Sequence, residues 1–239
     1  MTSKCIAHVP CPACGSRDNR AVYDDGHEWC FGCGDYTNAT HRPPIRVNPE
    51  EIEEDSERLR KLLQSAQAVL PSPNKLWLSQ YGLNALEMAL FKYIPYMDRH
   101  VYVVYGENGP VFADCRSVSG KTPKNLSFGE KPFHLIGNEG PIVLVEDVVS
   151  AIKVGRHARA MPLFGAHCNM GRLLQLTKLP NPDILVWLDK DKMKEAMELR
   201  DRITLLGLTS RSIITEKDPK EYSNQEILGF TRGLTKVEK

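Results

Sequence analysis

The chain has 239 residues and a formal net charge of +1, which excludes a strongly basic protein that coats nucleic acid with its whole surface. Hydrophobic residues make up 41% and charged residues 26%, as in ordinary soluble globular proteins, and no apolar run is long enough to cross a bilayer. The opening MTSKCIAHVPCPAC lacks the apolar stretch of a secretory signal, so we expect a cytoplasmic protein with reduced cysteines and no membrane partner.

Two Cys-x2-Cys pairs lie near the N-terminus, separated by fifteen residues: Cys11 and Cys14, then Cys30 and Cys33. Two such pairs can place four thiolates tetrahedrally around one Zn²⁺. A closed shell of four thiolates leaves no open coordination position, which indicates a structural rather than a catalytic zinc. A disulfide pair or an iron–sulfur cluster is the alternative interpretation.

Aromatic and basic residues accompany the cysteines, and they are Arg17, Arg20, His27, Trp29, Phe31 and Tyr36. Aromatic and basic side chains together suit stacking on unpaired bases. The competing interpretation is that these aromatic side chains only cover a very small core, since residues 1–40 contain almost no aliphatic side chains.

The middle of the chain changes from linker to regular structure. Prolines and an acidic run predict a linker over 41–57 that leads into a helix with apolar residues spaced from Leu59 to Val69. Two more short helices are expected on either side of Gly82. The segment HVYVVYGENGPVFADCRSV then predicts a hairpin that turns at residues 107–109.

From residue 140 onward, apolar strands alternate with helices. This alternation predicts a parallel sheet with helices on both faces, in which functional groups gather at the carboxyl ends of the strands. The acids at these ends are Glu146, Asp147, Asp189, Asp191 and Asp218. Converging carboxylates repel one another, and Mg²⁺ or Mn²⁺ relieves that repulsion while serving phosphoryl or nucleotidyl transfer.

Glu146 at one strand end, Asp189 and Asp191 at a second and Asp218 after a third resemble the TOPRIM domain. Bacterial-type primases, topoisomerases, certain nucleases and RecR recombination mediators share that domain. TPKNLSFGEKPFHLIG at 122–137 is similar to the lysine-containing segment that precedes it in replicative primases. CPACGSRDNRAVYDDGHEWCFGCG resembles the zinc-binding domain of primases, particularly those fused to helicases in T-odd bacteriophages.

The resemblance implies an α/β protein in which a zinc ribbon over 1–40 and a linker over 41–57 precede an RNA polymerase domain. That domain would consist of an α+β subdomain over 58–139 and a TOPRIM subdomain, a parallel sheet with flanking helices, over 140–239. The implied activity is that of a DNA primase, which makes short RNA primers from ribonucleoside triphosphates on single-stranded DNA. A separate protein would act as the replicative helicase.

The resemblance also implies roles for the acidic residues. Glu146 would bind metal or take part in proton transfer, and Asp189 and Asp191 would hold Mg²⁺ with the phosphates of the incoming nucleotide. Asp218 would be a further acidic member of the site. One acid is missing, because Ser150 stands where many primases carry Asp, unless Asp147 substitutes for it.

The basic and aromatic candidates follow from the same resemblance. Lys124, with Arg116 and Lys121 nearby, would contact nucleotide phosphates or the template backbone; each of these residues could instead be a solvated cation at a hairpin edge. His27 would lie on the template-reading face of the ribbon, together with Trp29. The alternative function is a non-catalytic, RecR-like DNA-binding mediator, and a TOPRIM nuclease is a more distant one.

Overall fold

The computed structural model describes residues 3–13, 20–31, 33, 35–37 and 49–233, with side chains from residue 57 onward in the last range. The chain divides into two compact units, Met1–Ile52 and Glu53–Lys239. Among the described residues, every helix is too short or too polar to span a membrane.

The first unit is built on a four-stranded antiparallel sheet. Its strands, in sheet order, are β1 (Cys5–Val9), β2 (Arg20–Tyr23), β3 (Glu28–Cys30) and β4 (Tyr36–Thr37). Few side chains are buried, and among them is Arg20, whose guanidinium donates to Glu28, Asp35 and Thr37. The interpretation of Arg20 as a surface group that contacts bases is therefore wrong, because this side chain ties three strands together in place of a hydrophobic core.

Three helices and an antiparallel sheet follow, but the first helix, α1, begins at Pro49 within the predicted linker and ends at Gln64, before the predicted end near Val69. It crosses the boundary between the two units at Ile52. These elements are α1 (Pro49–Gln64), α2 (Ser72–Ser79), α3 (Ala85–Met88), β5 (Phe91–Ile94), β6 (Arg99–Gly106), β7 (Gly109–Arg116) and β8 (Asn125–Gly129). Gly82 separates α2 from α3 with a φ of +74°, a conformation that glycine adopts without steric cost. Asn84 then caps α3 by accepting from the backbone N–H groups of Leu86 and Glu87.

A four-stranded parallel sheet follows, in the order β10-β9-β11-β12. Its elements are β9 (Ile142–Val145), α4 (Val148–Gly155), β10 (Arg159–Pro162), α5 (Met170–Leu176), β11 (Ile184–Val186), α6 (Met193–Leu205), β12 (Ser210–Ser212) and α7 (Asn224–Thr231). The predicted fold class, an α/β protein with a parallel sheet after an α+β segment and a small cysteine-bearing ribbon, is confirmed.

Helices cover both faces of the parallel sheet, which explains why β9 and β11 are apolar at every position. One face packs against α5 and α6 through residues such as Leu173 and Leu199. The other face packs against α4 and α7, with Trp187 fully buried beside Ile227. The opposite side of α4 packs against the antiparallel sheet in a third cluster. Helix α4 thus lies between the two sheets and brings their edges close together.

Gly137 allows a close backbone approach just before the parallel sheet. Its φ is +91°, and an added Cβ would lie 2.3 Å from the Ala158 carbonyl oxygen and 2.4 Å from that of Gly155.

We expect Gly137→Ala to lower the free energy of unfolding by about 3–5 kcal/mol, because both strain and overlap must be relieved. Gly207→Ala is the matched control, since Gly207 has a φ of +80° but open space around it, and it should cost only about 1 kcal/mol. Urea unfolding measures both, and equal losses would contradict the role assigned to the close approach.

Candidate active site

Three cysteines of the ribbon form a cluster that fits a metal ion. Cys11 follows β1, Cys30 ends β3, and Cys33 precedes β4. Their Sγ atoms all lie within 4.8 Å of one another, and those of Cys11 and Cys33 are 3.8 Å apart. Two sulfurs on a tetrahedral zinc with bonds of about 2.3 Å are separated by about 3.8 Å. These thiolates therefore suit a structural zinc; Cys14, the fourth predicted ligand, lies outside the described residues.

A row of aromatic rings runs across the same ribbon. The rings of Tyr23 and His27 stack at 4.1 Å, His27 and Tyr36 lie 5.9 Å apart, and Tyr36 and Trp29 lie 6.2 Å apart. Asp25 holds the His27 ring through Nδ1. Tyr36 is 53% exposed and Trp29 is 38% exposed. The rings therefore present a stacking surface to solvent, whereas the described buried side chains of the ribbon are those of Arg20, Ala21, Cys11 and Cys30.

In the second unit, neighbouring parallel strands end in acids. Glu146 directly follows β9, and Asp189 follows β11 after two buried residues. Because β9 pairs with β11, the carboxyl ends of these strands bring the two carboxylates to one edge of the sheet. Asp218 lies beyond β12 and begins a single 3-10 turn over Pro219–Glu221.

These acids line one cavity of about 370 Å³. Six site residues that the sequence predicts in this unit line it, namely Arg116, Lys124, Glu146, Asp189, Asp191 and Asp218. Lys121, expected beside Lys124, does not line it, because its ammonium donates to the Met97 carbonyl oxygen instead. The parallel sheet supplies the acidic wall, and β7 with the segment before β8 supplies the cations Arg116 and Lys124. Residues that lie far apart in the chain are thus brought together around one space that could accept a polyanionic ligand.

A lysine that the sequence reasoning missed stands within the acidic wall. The Lys220 ammonium lies 2.8 Å from Asp147 Oδ2, 3.0 Å from Asp189 Oδ2 and 3.2 Å from Asp218 Oδ2. Asp147 also caps α4 by accepting from the backbone N–H of Ser150 at 2.8 Å. Asp147, offered above as a substitute for the missing acid, therefore does reach the cluster.

Two carboxylate oxygens in this cavity are buried without a hydrogen-bond partner among the described residues: Glu146 Oε2 and Asp189 Oδ1. An unsatisfied buried oxygen is costly, and a hard divalent cation is the ligand that satisfies carboxylate oxygens best. Their chemistry and burial therefore fit Mg²⁺ or Mn²⁺. Within the described residues the acids do not themselves gather as tightly as the cysteines do.

Burial and neighbouring negative charges shift the pKa values of the acids in the cavity. Burial, followed by the repulsion of Asp147, raises the pKa of Asp189 to about 7. The same two causes raise the pKa of Glu146. Burial also acts to raise the pKa of Asp218, but the Lys220 ammonium and the backbone N–H of Lys190 outweigh it and lower that pKa. A bound divalent cation would favour the ionised form of each carboxylate that it contacts.

The basic wall is held by buried contacts. The Arg116 guanidinium lies over the Trp77 ring at 4.5 Å, in a cation–π arrangement. Lys124 is exposed, but its backbone carbonyl accepts from the buried Arg99 at 2.7 Å, which fixes the start of β8. Trp77 and Arg99 could not be found from the sequence, because neither lies at the carboxyl end of a strand or in a recognisable motif.

His100 lies beneath this wall and must remain uncharged in the folded state. Its ring packs 5.3 Å from Trp77, and burial, followed by the nearby Arg116, lowers its pKa to about 3. An unfolded histidine has a pKa of about 6.5, so below that pH the unfolded chain binds a proton that the folded chain does not. The contribution of His100 to the free energy of unfolding is therefore fully present above pH 6.5. As the pH falls below that value, the free energy of unfolding decreases by up to about 1.4 kcal/mol per pH unit.

We expect wild-type protein to lose about 2 kcal/mol more unfolding free energy than His100→Gln between pH 7 and pH 5. Urea titrations of both proteins at the two pH values measure this difference. All other titrating groups are shared and cancel in the comparison. A constant offset between the two proteins, independent of pH, would show that His100 has the same pKa in the folded and unfolded states and is therefore not buried as described.

Comparisons with known proteins agree with these features. The zinc-binding and RNA polymerase domains of the Aquifex aeolicus primase match with a TM-score of 0.58 and 13% identity, covering 98% of this chain and 80% of that structure. The DnaG catalytic core matches with a TM-score of 0.52 and 14% identity, covering 71% of this chain and 73% of that structure. At these identities the likeness concerns the fold.

A search at the sequence level adds one shorter match. The DNA helicase/primase of Enterobacteria phage T3 is 47% identical over 45 residues, which are 19% of this chain and only 7% of the phage protein. No protein-family model matches the chain. The known proteins that this chain resembles in fold and in local sequence are thus bacterial and phage primases, as its motifs indicated.

Proposed function

We propose that this chain is a DNA primase that joins ribonucleotides into short RNA primers on a single-stranded DNA template. The observation that carries the proposal is the cavity in which Glu146, Asp189 and Asp191 face Arg116 and Lys124. Nucleotidyl transfer needs both walls, because a triphosphate must be held by cations while carboxylates hold the metal that neutralises its reacting phosphate.

Each residue has a proposed task in this reaction. When bound, Mg²⁺ or Mn²⁺ would polarise the phosphate under attack and neutralise the charge that develops on it. Asp189, Asp191 and Asp218 would hold the metal. Glu146 would bind it as well or take the proton from the attacking 3′ hydroxyl. Lys124 and Arg116 would hold the phosphates of the ribonucleoside triphosphate in line with that hydroxyl.

The ribbon would assist template recognition. His27 and Trp29 belong to a row of aromatic rings with exposed members, and bases of single-stranded DNA stack on such rings with little dependence on sequence. The zinc site would hold this surface rigid. Residues 1–40 would form the template-reading module, residues 58–139 the basic wall and residues 140–239 the metal-binding wall. Of the linker expected over 41–57, residues 41–48 lie outside the described residues and the remainder belongs to α1. A separate replicative helicase would unwind the duplex, and no membrane partner is needed.

Trp29→Ala tests the stacking surface. We expect the Kd for a single-stranded oligonucleotide to rise about tenfold, since one base–aromatic stack contributes roughly 1–3 kcal/mol. Fluorescence anisotropy with a labelled DNA oligonucleotide measures the change. Tyr105→Ala is the control, because Tyr105 is even more exposed than Trp29 (58% against 38%) but lies at the end of β6, and it should leave the Kd unchanged. Equal weakening by both variants would remove the ribbon from template binding.

The proposal as a whole is tested by synthesis. Purified protein, single-stranded templates of varied sequence, radiolabelled ribonucleoside triphosphates and Mg²⁺ should yield oligoribonucleotides whose sequence complements the template. Absence of product on every template, with and without a replicative helicase, would refute the proposal. A stable ring-shaped oligomer that binds DNA without synthesis would instead favour the mediator function.

A further inference from the structure

Lys220 is a buried cation that contacts three of the acids lining the cavity. Its side chain is 6% exposed, and its ammonium contacts one oxygen each of Asp147, Asp189 and Asp218 at 2.8–3.2 Å. Three carboxylates around a single ammonium satisfy all three of its N–H donors. The amine therefore occupies the kind of position, among converging carboxylates, that a metal ion would otherwise take.

Hydrogen bonds from other buried residues fix the backbone around Lys220. A second buried lysine, Lys153 of α4, donates to the carbonyl oxygens of Lys220 and Tyr222. Glu221 accepts from the backbone N–H of Asp218 at 3.0 Å, which closes the same turn. These contacts hold the Lys220 ammonium in the cluster, in contrast to the freely rotating ammonium of a surface lysine.

The carboxylate oxygens divide into two groups. Asp147 uses both of its oxygens within the protein, one on the backbone N–H of Ser150 and one on Lys220. Asp189 gives Oδ2 to Lys220, but its Oδ1 is buried and unpartnered, as is Oε2 of Glu146. Asp189 therefore lies between the carboxylates that Lys220 contacts and the two carboxylate oxygens that have no hydrogen-bond partner among the described residues.

The formal charges of the side chains that line the cavity also indicate one divalent cation. Six carboxylates and four cationic side chains line it, an excess of two negative charges. One divalent cation balances that excess. A second divalent cation would have to displace Lys220 or leave the cavity with net positive charge.

We infer that Lys220 is a built-in cation that takes the place of one divalent metal, so that the site binds a single Mg²⁺ or Mn²⁺ between Glu146, Asp189 and Asp191. The inference rests on the proposed function for the identity of the site. In this inference Asp147 and Asp218 bind the Lys220 ammonium and are not ligands of the metal. Asp218, proposed above as a metal ligand, would then only neutralise Lys220.

Metal counting on the full chain tests the inference. Zinc-loaded protein is titrated with Mn²⁺, and free Mn²⁺ is followed by electron paramagnetic resonance. Mn²⁺ prefers oxygen ligands and competes poorly for thiolates, so the cysteine cluster does not contribute to the count. Wild-type protein should bind one Mn²⁺ per chain. Lys220→Met should bind two, because three carboxylates then lack a counter-ion.

Matched variants separate the role of Lys220 from that of charge in general. Lys220→Arg keeps the positive charge and should bind one ion. Lys190→Met removes an exposed ammonium from the same edge of the sheet and should also bind one. The backbone N–H of Lys190, which donates to Asp218 at 3.2 Å, is kept in this variant. Two saturable ions in wild-type protein, or a single ion in folded Lys220→Met, would overturn the inference.

The wild-type count needs no variant, so it decides the question even if Lys220→Met does not fold. Circular dichroism of each variant identifies that case, and Lys220→Gln then serves as a second neutral replacement. The metal count is independent of catalysis. If the protein binds one ion but makes no primers, the proposed function fails and the count stands; if it makes primers with two ions bound, the inference fails and the function stands.

Discussion

Asp189→Asn is expected to reduce primer synthesis by at least about 10³-fold, which corresponds to roughly 4 kcal/mol of barrier. The reason is that Asp189 contacts Lys220 through Oδ2, while its Oδ1 is buried without a hydrogen-bond partner among the described residues. Asn has nearly the same shape and keeps one oxygen, but it removes the negative charge that a divalent cation requires. Asp191→Asn should act in the same direction. The yield of labelled oligoribonucleotide at saturating Mg²⁺ measures the effect.

The control for this pair is Asp201→Asn. Asp201 is an exposed acid of α6 that pairs only with its neighbour Arg200 among the described residues, so the substitution removes the same charge without touching the cavity. It should leave synthesis within about twofold of wild type, because exposed pairs of this kind contribute little. Zinc content should stay at one ion per chain in all three variants. Full activity of Asp189→Asn would show that the acids at the strand ends do not hold the catalytic metal.

The positions of the acids could be predicted because two simple regularities determine them. Apolar runs such as those before Glu146 and Asp189 become parallel strands only when both faces are covered. Parallel strands that pair directly then end at the same edge of the sheet. These rules depend on local sequence and on sheet geometry, so no contact between distant residues had to be known in advance.

Lys220 could not be predicted in this way. It follows no strand directly, and its role depends on a 3-10 turn that Lys153 fixes from another helix. Asp114 was missed as well, although it had a usable signal: it lies two residues before Arg116 on β7, so both face the same side. Burial, with Asp147 nearby, raises the Asp114 pKa to about 6. The place of such residues in the site can be recognised only from the tertiary structure, in which separate elements pack together.

The ribbon shows the same contrast on a smaller scale. The spacing of the cysteines predicts their cluster, since the geometry of zinc coordination is local and strict. The assignment of Arg20 to the surface failed because a segment with few apolar side chains can use a charged network as its interior. An arginine with a full set of buried acceptors is then a structural residue, and composition alone does not distinguish it from a DNA-binding one.

Cys30→Ser is expected to have the second large effect. Cys30 is fully buried at the end of β3, and its Sγ lies within 4.8 Å of those of Cys11 and Cys33. Structural zinc contributes roughly 10–16 kcal/mol to the folding of small zinc modules, and few other side chains are buried among the described residues of the first unit. We expect the zinc content to fall from one ion per chain to below about 0.1, and amide exchange to accelerate throughout the strands of the first unit. Atomic absorption and hydrogen–deuterium exchange measure these changes.

Cys5→Ser separates loss of the metal from loss of a thiol. Cys5 is exposed on β1 and lies outside the cluster, so this variant should keep one zinc ion and normal exchange. The second unit should unfold with unchanged free energy in both variants, because its core clusters consist of its own residues. Since the described residues that line the acidic cavity belong to the second unit, Cys30→Ser should still bind Mn²⁺ while losing template-dependent synthesis. If Cys30→Ser lost Mn²⁺ binding as well, the two metal sites could not be independent, and the division of labour between ribbon and cavity would have to be abandoned.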